Sequence, residues 1–270
     1  MQVVGVIPAR LQSTRLPRKL LLDDTGKPLI QYVWEAATRT ATLDDVIVAA
    51  DCEEICETVR CFGGRAELTG AHSCGTDRVA EVVRRCCPNA DVIVNLQGDE
   101  PELEPADVDR LVESMRRHAD DEMATLATPI RDADTLRDPG CVKVVTAGDG
   151  RALYFSRTAI PFTRDLEPAA FLEDRAKPQA ADEIRCPSPW LLHVGLYAYR
   201  REFLLHLTAL PPSRLEQLET LEQLRALEAG ATVRVETVAR AGIGIDTPND
   251  YARFVERQRG ADPGRLPKSA

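Results

Sequence analysis

The first half of the chain alternates short apolar runs with amphipathic segments, and this alternation restricts the fold more than any other feature. The apolar runs lie at 3–7, 46–49, 92–96 and 123–128. Segments with helical periodicity separate or follow them, at 29–40, 53–62, 76–86 and 106–118. This pattern predicts βαβ units, and therefore an α/β fold with a mostly parallel central sheet and helices on both faces. The nearly continuous apolar runs are typical of strands that are buried on both sides.

Length and charge exclude several classes of protein. With 270 residues, the chain can form one large α/β domain or two small ones. No run approaches the roughly 20 apolar residues that span a bilayer, and the first residues lack a basic leader. We therefore expect a cytoplasmic protein with no membrane partner. The net charge of −9 argues against nucleic acid as the main partner, because binding along a duplex requires a basic face.

The second half has a less regular pattern. Strands are predicted at 142–146, 152–155 and 191–199, and the segment 163–189 is predicted to be a long loop. A leucine-rich helix is predicted at 214–229, ending at Gly230. A last helix should begin at Thr247 and Pro248, and a tail at about residue 259. The cysteines include no C-x-x-C pair, so we predict free, mostly buried thiols at Cys52, Cys56, Cys61, Cys74, Cys86, Cys87, Cys141 and Cys186.

A basic loop follows the first predicted strand, at 8–19. Its four cations are Arg10, Arg15, Arg18 and Lys19, in a chain that is acidic overall. Parallel sheets bind ligands at the carboxyl ends of their strands, and Arg and Lys side chains there can hold a triphosphate. The glycine patterns of other phosphate-binding loops are missing from this position. The alternative is a basic turn in contact with solvent.

Two carboxylates lie at similar points of the pattern. Asp99 follows the apolar run 92–96, and Asp246 precedes the last predicted helix. Two aspartates at one sheet edge suit Mg²⁺, which takes few protein oxygens and leaves the rest to phosphates and water. Taken singly, each aspartate is more simply explained as a turn or helix-cap residue.

Several motifs resemble those of the 3-deoxy-manno-octulosonate (KDO) cytidylyltransferases over roughly residues 3–254. They include I-P-A-R-x-x-S-T-R-L-P-x-K, V-N-L-Q-G-D-E-P, A-L-Y-F-S-R, H-V-G-L-Y, L-E-Q-L-R and D-T-P-N-D. The resemblance implies a Rossmann-like nucleotide-diphospho-sugar transferase fold with a smaller mixed β subdomain. It also implies one nucleotidyltransferase domain at 1–258, in which residues 130–200 give a β-rich part for sugar binding and dimerisation, and a tail at 259–270.

The resemblance also implies roles for individual residues. Catalysis would depend on Arg10, Lys19 and Asp99, and Mg²⁺ would bind Asp99 and Asp246. The nucleotide-binding residues would be Pro8, Ala9, Arg10, Ser13, Arg15, Lys19, Ser73, Gly75, Arg78 and Gln97. The sugar acid would contact Gln97, Arg157, His193, Tyr197, Glu222 and Gln223.

Structural alternatives exist for most of the sugar-acid set. Arg157 could pair with a surface carboxylate, His193 could be a core residue, and Glu222 and Gln223 could be exposed. The chain also departs from the family at three positions, where Arg18 replaces Gly, Leu20 replaces Pro and Cys74 replaces Ser.

The implied activity is that of a nucleotidyltransferase that moves CMP from CTP to KDO in lipopolysaccharide biosynthesis, as a homodimer. One alternative is the same CTP-dependent reaction on another small acid, such as a related keto sugar acid or a phosphonate. The other is a non-catalytic nucleotide-sensing module.

Overall fold

The computed structural model describes residues 1–176 and 188–261. The chain divides into two compact units: unit 1 contains Met1–Asp109 and the chain from Gly242 onward, and unit 2 contains Arg110–Ala241. In chain order, the elements are β1 (Val3–Ala9), α1 (Leu29–Thr38), β2 (Asp45–Ala50), α2 (Glu53–Cys61), β3 (Arg65–Leu68), α3 (Gly75–Cys86), β4 (Val92–Asn95), α4 (Pro105–Arg117), β5 (Met123–Pro129), α5 (Ala133–Arg137), β6 (Lys143–Thr146), β7 (Ala152–Ser156), α6 (Pro168–Ala176), β8 (Leu191–Arg200), α7 (Arg201–Leu207), α8 (Arg214–Glu219), α9 (Gln223–Glu228), β9 (Val233–Thr237) and α10 (Pro248–Ala261).

Unit 1 is built on parallel strands. β1 pairs with β2 on one side and with β4 on the other, and β2 pairs in turn with β3. Nearly every residue of β1 and β4 is buried, which explains their continuous apolar sequence. Because the chain passes from β1 to β2 in one direction along the sheet and reaches β4 in the other, β1 and β4 border a topological switch point. Ligands of open α/β sheets bind at such points, beyond the carboxyl ends of the strands.

Unit 2 is mixed. β5 pairs in parallel with β9 and antiparallel with β8, while β6 pairs antiparallel with β7 and β8. The pairing of β5 with β8 contains an irregularity: Leu126 pairs with Val194, but the preceding Thr125 pairs with Tyr197. Gly195 and Leu196 therefore form a β-bulge, a feature that can redirect neighbouring side chains.

The α/β fold with its parallel strands is confirmed, and several described segments differ from the prediction. The segment predicted as a loop contains α6, and its residues 177–187 lie outside the described part. The helix predicted at 214–229 is two helices, because Thr220 between them is left-handed, with φ 55°. The last helix continues to Ala261, past the predicted start of the tail. Strands β3 and β9 and helices α5 and α7 were not predicted.

Two further expectations concern the whole chain. The cysteines within the described ranges are free thiols, as predicted. The prediction that most of them are buried is wrong, because only Cys56 and Cys87 are buried in those ranges. Cys186 lies outside them. No helix among the described residues has both the length and the apolar content needed to cross a bilayer.

Candidate active site

The loop that follows β1 is held close to the sheet. Leu11 N donates to Asp51 Oδ1 at 3.0 Å, and the loop ends in a short 3-10 helix at Lys19–Leu21. The end of β1 also approaches the turn after β4, because a Cβ on Gly98 would lie only 3.0 Å from the Pro8 carbonyl oxygen. Glycine at position 98 therefore permits the close approach of these two chain segments.

Lys19 brings two distant aspartates of unit 1 together. Its Nζ lies 2.7 Å from Asp99 Oδ2 and 3.1 Å from Asp246 Oδ1, and Arg15 Nη2 lies 3.0 Å from Asp246 Oδ2. The Lys19 side chain is only 9% exposed, against 34% for Asp99 and 49% for Asp246. Both carboxylates thus converge on a buried cation. The sequence predicted that these three side chains lie at one edge of the sheet, but not that the two aspartates pair with Lys19.

Residues next to Arg15 and Asp246 pack in a buried apolar cluster. Leu16, next to Arg15, and Ile245, next to Asp246, belong to one buried cluster. Its other buried members are Leu29, Tyr251, Phe254 and Val255. In addition, Ile245 N donates to the Asp99 carbonyl oxygen at 2.9 Å. The positions of the two loops are therefore set by packing and by a main-chain bond, as well as by their charges.

The cap of α10 is formed without the Asp246 side chain. Asp250 Oδ2 accepts from Thr247 N and Thr247 Oγ1, both at 2.8 Å, and Thr247 Oγ1 accepts from Asp250 N at 3.2 Å. This reciprocal pair satisfies the start of the helix. The alternative explanation of Asp246 as the helix cap is therefore wrong, and its carboxylate faces Lys19 and Arg15.

A third carboxyl group lies beside this pair. Burial is the main cause, and the charges of Asp99 and Asp246 the lesser causes, that together raise the pKa of Glu100 to about 7. Sequence reasoning missed Glu100 as part of the site, although it is adjacent to Asp99. The crowding of carboxyl groups indicates a place that favours added positive charge.

The donor set fits a magnesium ion. No cluster of three or more acidic, histidine or cysteine side chains forms a metal cage in the parts of the chain that the structure describes. Mg²⁺ does not need one, because it commonly binds one or two carboxylates and completes its shell with phosphates and water. Asp99 and Asp246, which already share one cation, supply such a pair.

The segment before α3 contains one of the three departures from the family. Cys74 is the N-cap of α3, and its sulfur accepts from Asp77 N at 3.4 Å. Ser73 Oγ donates to Asp77 Oδ2 at 3.1 Å. Cys74 therefore takes the capping position that serine would occupy, with the weaker acceptor capacity of sulfur.

Arg78 is the buried cation of α3. It is only 2% exposed, and its Nη1 donates to Thr69 Oγ1 and, at 3.3 Å, to the Gly70 carbonyl oxygen. Burial lowers its pKa, and the charge of Arg10 acts in the same direction. Its Nε has no partner among the described residues, so an N–H group remains for an acceptor atom.

The other two departures lie next to Lys19. Arg18 has φ 55° and ψ 27°, in the left-handed region that glycine adopts without strain. Arg18 therefore adopts a conformation that glycine would adopt at lower cost, and its side chain pairs with Glu54. Leu20 is buried and would touch a Cβ on Gly98 at 3.5 Å, so it packs under the turn after β4.

The remaining predicted nucleotide residues lie at the same strand ends or at the start of α3. Pro8 and Ala9 end β1, Gln97 follows β4, and Gly75 begins α3. Arg10 is exposed and Ser13 is half-buried in the loop after β1.

In unit 2, Arg157 is held by main-chain oxygens. Its guanidinium donates to the carbonyl oxygens of Glu219 (2.7 Å), Pro139 (2.9 Å) and Thr220 (3.2 Å). The Glu219 carboxylate accepts from Ser156 Oγ at 2.6 Å and from Arg157 N at 2.9 Å. The break between α8 and α9 is what exposes the carbonyl groups of residues 219 and 220.

Lys143 supports the same residue from the other side. It is fully buried, and its ammonium donates to the carbonyl oxygens of Arg157 (2.6 Å), Asp138 (2.9 Å) and Cys141. Burial lowers the pKa of Lys143. Sequence reasoning assigned no role to Lys143, because its partners are main-chain atoms, or to Glu219, whose partners lie more than sixty residues earlier in the chain.

Three of the predicted sugar-acid residues meet in unit 2. The rings of His193 and Tyr197 lie 5.5 Å apart, and Tyr197 OH donates to Gln223 Oε1 at 3.4 Å. Gln223 is buried, with 5% exposure, so the explanation of this glutamine as an exposed helix residue is wrong. Glu222 is exposed.

Comparison with known proteins shows the family of the chain. The sequence model of the family described as Cytidylyltransferase matches residues 4–236. A 3-deoxy-manno-octulosonate cytidylyltransferase from Geobacter sulfurreducens is 44% identical over 262 residues, covering 95% of this chain and 99% of the relative. The chain belongs to the 3-deoxy-manno-octulosonate cytidylyltransferase family.

Two further members of this cytidylyltransferase family are similar over nearly their full lengths. The enzyme of that name from Rhodopirellula baltica is 44% identical over 258 residues, covering 95% of this chain and 98% of the relative. A solved CMP:2-keto-3-deoxy-manno-octonic acid synthetase complexed with CTP has a TM-score of 0.85 and 40% identity. It covers 97% of this chain and 100% of its own.

Proposed function

We propose that this chain transfers CMP from CTP to KDO, giving CMP-KDO and pyrophosphate. The observation that carries this proposal is the convergence of Lys19, Asp99 and Asp246 beyond β1 and β4, in a chain that aligns end to end with KDO cytidylyltransferases. The product would enter lipopolysaccharide biosynthesis, which uses KDO.

In the reaction, the anomeric hydroxyl oxygen of KDO attacks the α-phosphorus of CTP. A new P–O bond forms, the bond from the α-phosphorus to the bridging oxygen breaks, pyrophosphate leaves, and the hydroxyl proton passes to solvent. Charge repulsion dominates the barrier, so positioning and electrostatic stabilisation are the expected contributions. Lys19, Arg15 and Arg10 neutralise the phosphates. Arg157, His193, Tyr197 and Gln223 orient the acid.

The proposal includes magnesium held by Asp99 and Asp246. When bound, Mg²⁺ would supply charge neutralisation and polarisation of phosphate oxygens. Lys19, which contacts both aspartates, keeps them near each other when their negative charges would otherwise separate them.

We also propose a cytoplasmic homodimer, as the family resemblance implies. Leu153 and Phe162, both within the part expected to support dimerisation, are 59% and 88% exposed. Exposed apolar side chains of this size are typical of interaction surfaces when they cluster.

A pyrophosphate-release assay tests the function. The chain is incubated with CTP, Mg²⁺ and, separately, KDO, other keto sugar acids and a small phosphonate. We expect release with KDO. Release only with another acid would replace the acceptor, and CTP binding without release from any acid would indicate a nucleotide sensor.

Asp99→Asn tests the site within the same assay. Removing one preorganised charge from such a site costs about 10²–10³-fold in kcat, and we expect a loss of this size or greater. Asp91→Asn is the matched control, because Asp91 is exposed and bonds the backbone of Gln2. Near-normal turnover of Asp99→Asn would refute the assignment of this carboxylate.

A further inference from the structure

The bulge in β8 is bound to a buried threonine of β5. Thr125 is completely buried, and its Oγ1 lies 2.9 Å from the Leu196 carbonyl oxygen and 3.2 Å from the Val194 carbonyl oxygen. The same Oγ1 lies 2.9 Å from His193 Nε2. One hydroxyl group therefore contacts two carbonyl oxygens and one imidazole nitrogen.

The hydroxyl group has a single proton to donate, and this determines which tautomer of the imidazole is present. A carbonyl oxygen can only accept, so the single hydroxyl proton of Thr125 is donated to Leu196 or Val194. The hydroxyl oxygen then has lone pairs, but no proton, for His193. Nε2 must carry a hydrogen and donate it, and Nδ1 of a neutral ring is then an acceptor.

The surroundings keep the ring neutral. Phe155 packs edge-on against the His193 ring at 5.0 Å, and Tyr197 lies on another side at 5.5 Å. Burial lowers the pKa of His193 to about 3, and no charged group of the described residues contributes to this shift. His193 is therefore uncharged at neutral pH.

The other ring nitrogen, Nδ1, has no hydrogen-bond partner in the part of the chain that the structure describes. Among the described residues, the buried side-chain atoms that lack a hydrogen-bond partner are Arg78 Nε and Asn95 Oδ1. Nδ1 of His193 also lacks a partner there but is not one of these buried atoms, so it is open to solvent. Nδ1 is therefore an accessible acceptor beside Tyr197, whose hydroxyl contacts Gln223.

We propose that Thr125 holds His193 as the Nε2–H tautomer. Nδ1 then accepts a hydrogen bond from a hydroxyl group of the sugar acid and so selects sugar acids that have a hydroxyl group at this point. Thr125 is a positioning residue in this scheme, and His193 recognises a sugar hydroxyl, whereas the substrate carboxylate is left to a cation. The role in substrate choice rests on the proposed function, whereas the tautomer does not.

Imidazole ¹⁵N NMR on the full chain tests the tautomer directly. The wild type at pH 7 should show His193 with a protonated Nε2 and a bare Nδ1. Thr125→Val should shift both nitrogens toward tautomer-averaged values, and Thr125→Ser should restore the wild-type spectrum. A protonated Nδ1 or a doubly protonated ring in the wild type would overturn the proposal, whatever the variants do.

Kinetics test the selection. Losing an oriented hydrogen bond of about 0.5–1.5 kcal/mol corresponds to roughly a 2–10-fold change, so Thr125→Val should raise the KM for KDO by that factor and leave the KM for CTP unchanged. Thr128→Val is the matched control, since Thr128 is a buried threonine of the same strand. Equal KM values for KDO in Thr125→Val and wild type would refute the selective role. Absence of pyrophosphate release in the wild type would instead refute the proposed function and leave the NMR result standing.

Discussion

Replacing Lys143 with Met tests how the chain holds Arg157. The Lys143 ammonium is sealed from solvent and donates to three carbonyl oxygens, including that of Arg157 at 2.6 Å. Met has a similar volume but no donor, and each buried acceptor left unpaired costs about 1–3 kcal/mol. Water can reach some of the freed acceptors, because Asp138 is exposed and Cys141 is half-buried. Removing a buried ammonium also returns part of its desolvation cost. We expect a net loss of about 2–3 kcal/mol in the free energy of unfolding.

Urea denaturation and steady-state kinetics measure the two consequences. By the usual scaling, a loss of that size lowers Tm by about 4–12 °C. The KM for KDO should rise while the KM for CTP stays constant, because Arg157 is the one residue of the proposed substrate-binding set that Lys143 contacts. Lys27→Met is the control: Lys27 is partly exposed, pairs with Glu35 and lies over the Tyr32 ring. Unchanged stability, or a loss of stability with both KM values unchanged, would refute the reasoning.

Two further substitutions test backbone strain and proton linkage. Thr220→Gly relieves a left-handed conformation that costs about 1–2 kcal/mol, but it adds an entropy cost of about 0.5–1 kcal/mol on folding. Urea denaturation should therefore show an increase of up to about 1 kcal/mol in the free energy of unfolding. A clear decrease would contradict the strain at Thr220. His193 has a pKa of about 3 in the folded chain and about 6.5 when unfolded, so the unfolded state binds more protons between these values. The contribution of the neutral His193 to the free energy of unfolding should be fully present above about pH 6.5. It should fall on acidification by up to about 1.4 kcal/mol per pH unit. His193→Gln should lose this component, and parallel pH curves for the two proteins would contradict it.

Strands with continuous apolar sequence were readily predicted, and β6, β7 and β8 were predicted as well. β1, β2, β4 and β5 lie within a few residues of the predicted runs, because strands buried on both faces must be apolar throughout. β3, by contrast, reads Arg-Ala-Glu-Leu and has exposed residues at both ends. Its only strand partner among the described residues is β2. An edge strand needs no apolar run, so its sequence carries little signal.

The broken helix shows a different limit. The leucine spacing at 214–229 is that of one continuous helix, and Thr220 has no local reason to be left-handed. The contacts that compensate for this conformation come from Ser156 and Arg157, more than sixty residues earlier in the chain. Tertiary hydrogen bonds of this kind override local helix propensity, and the hydrophobic periodicity of the sequence does not reveal them.

The candidate site was predictable where a general rule of sheet topology applies. Residues after parallel strands meet at one edge, and this rule placed Lys19 beside Asp99. Thr125 and Lys143 escaped prediction because their partners are main-chain carbonyl oxygens, whose positions depend on a bulge and on a loop. Their side chains alone give no sign of these contacts.

The two cations at the centre of the proposal are compensated in different ways. Lys19 faces two carboxylates, so its charge is already neutralised within unit 1. Arg157 is held by carbonyl dipoles, and the nearby Glu219 carboxylate bonds Ser156 and the Arg157 backbone instead of the guanidinium. Three of the five guanidinium N–H groups are used in this way. Arg157 is therefore oriented without losing its charge, and two donors remain for a carboxylate. An acidic sugar needs a binding residue of this kind, because the sugar carboxylate can pair with the guanidinium without displacing another anion.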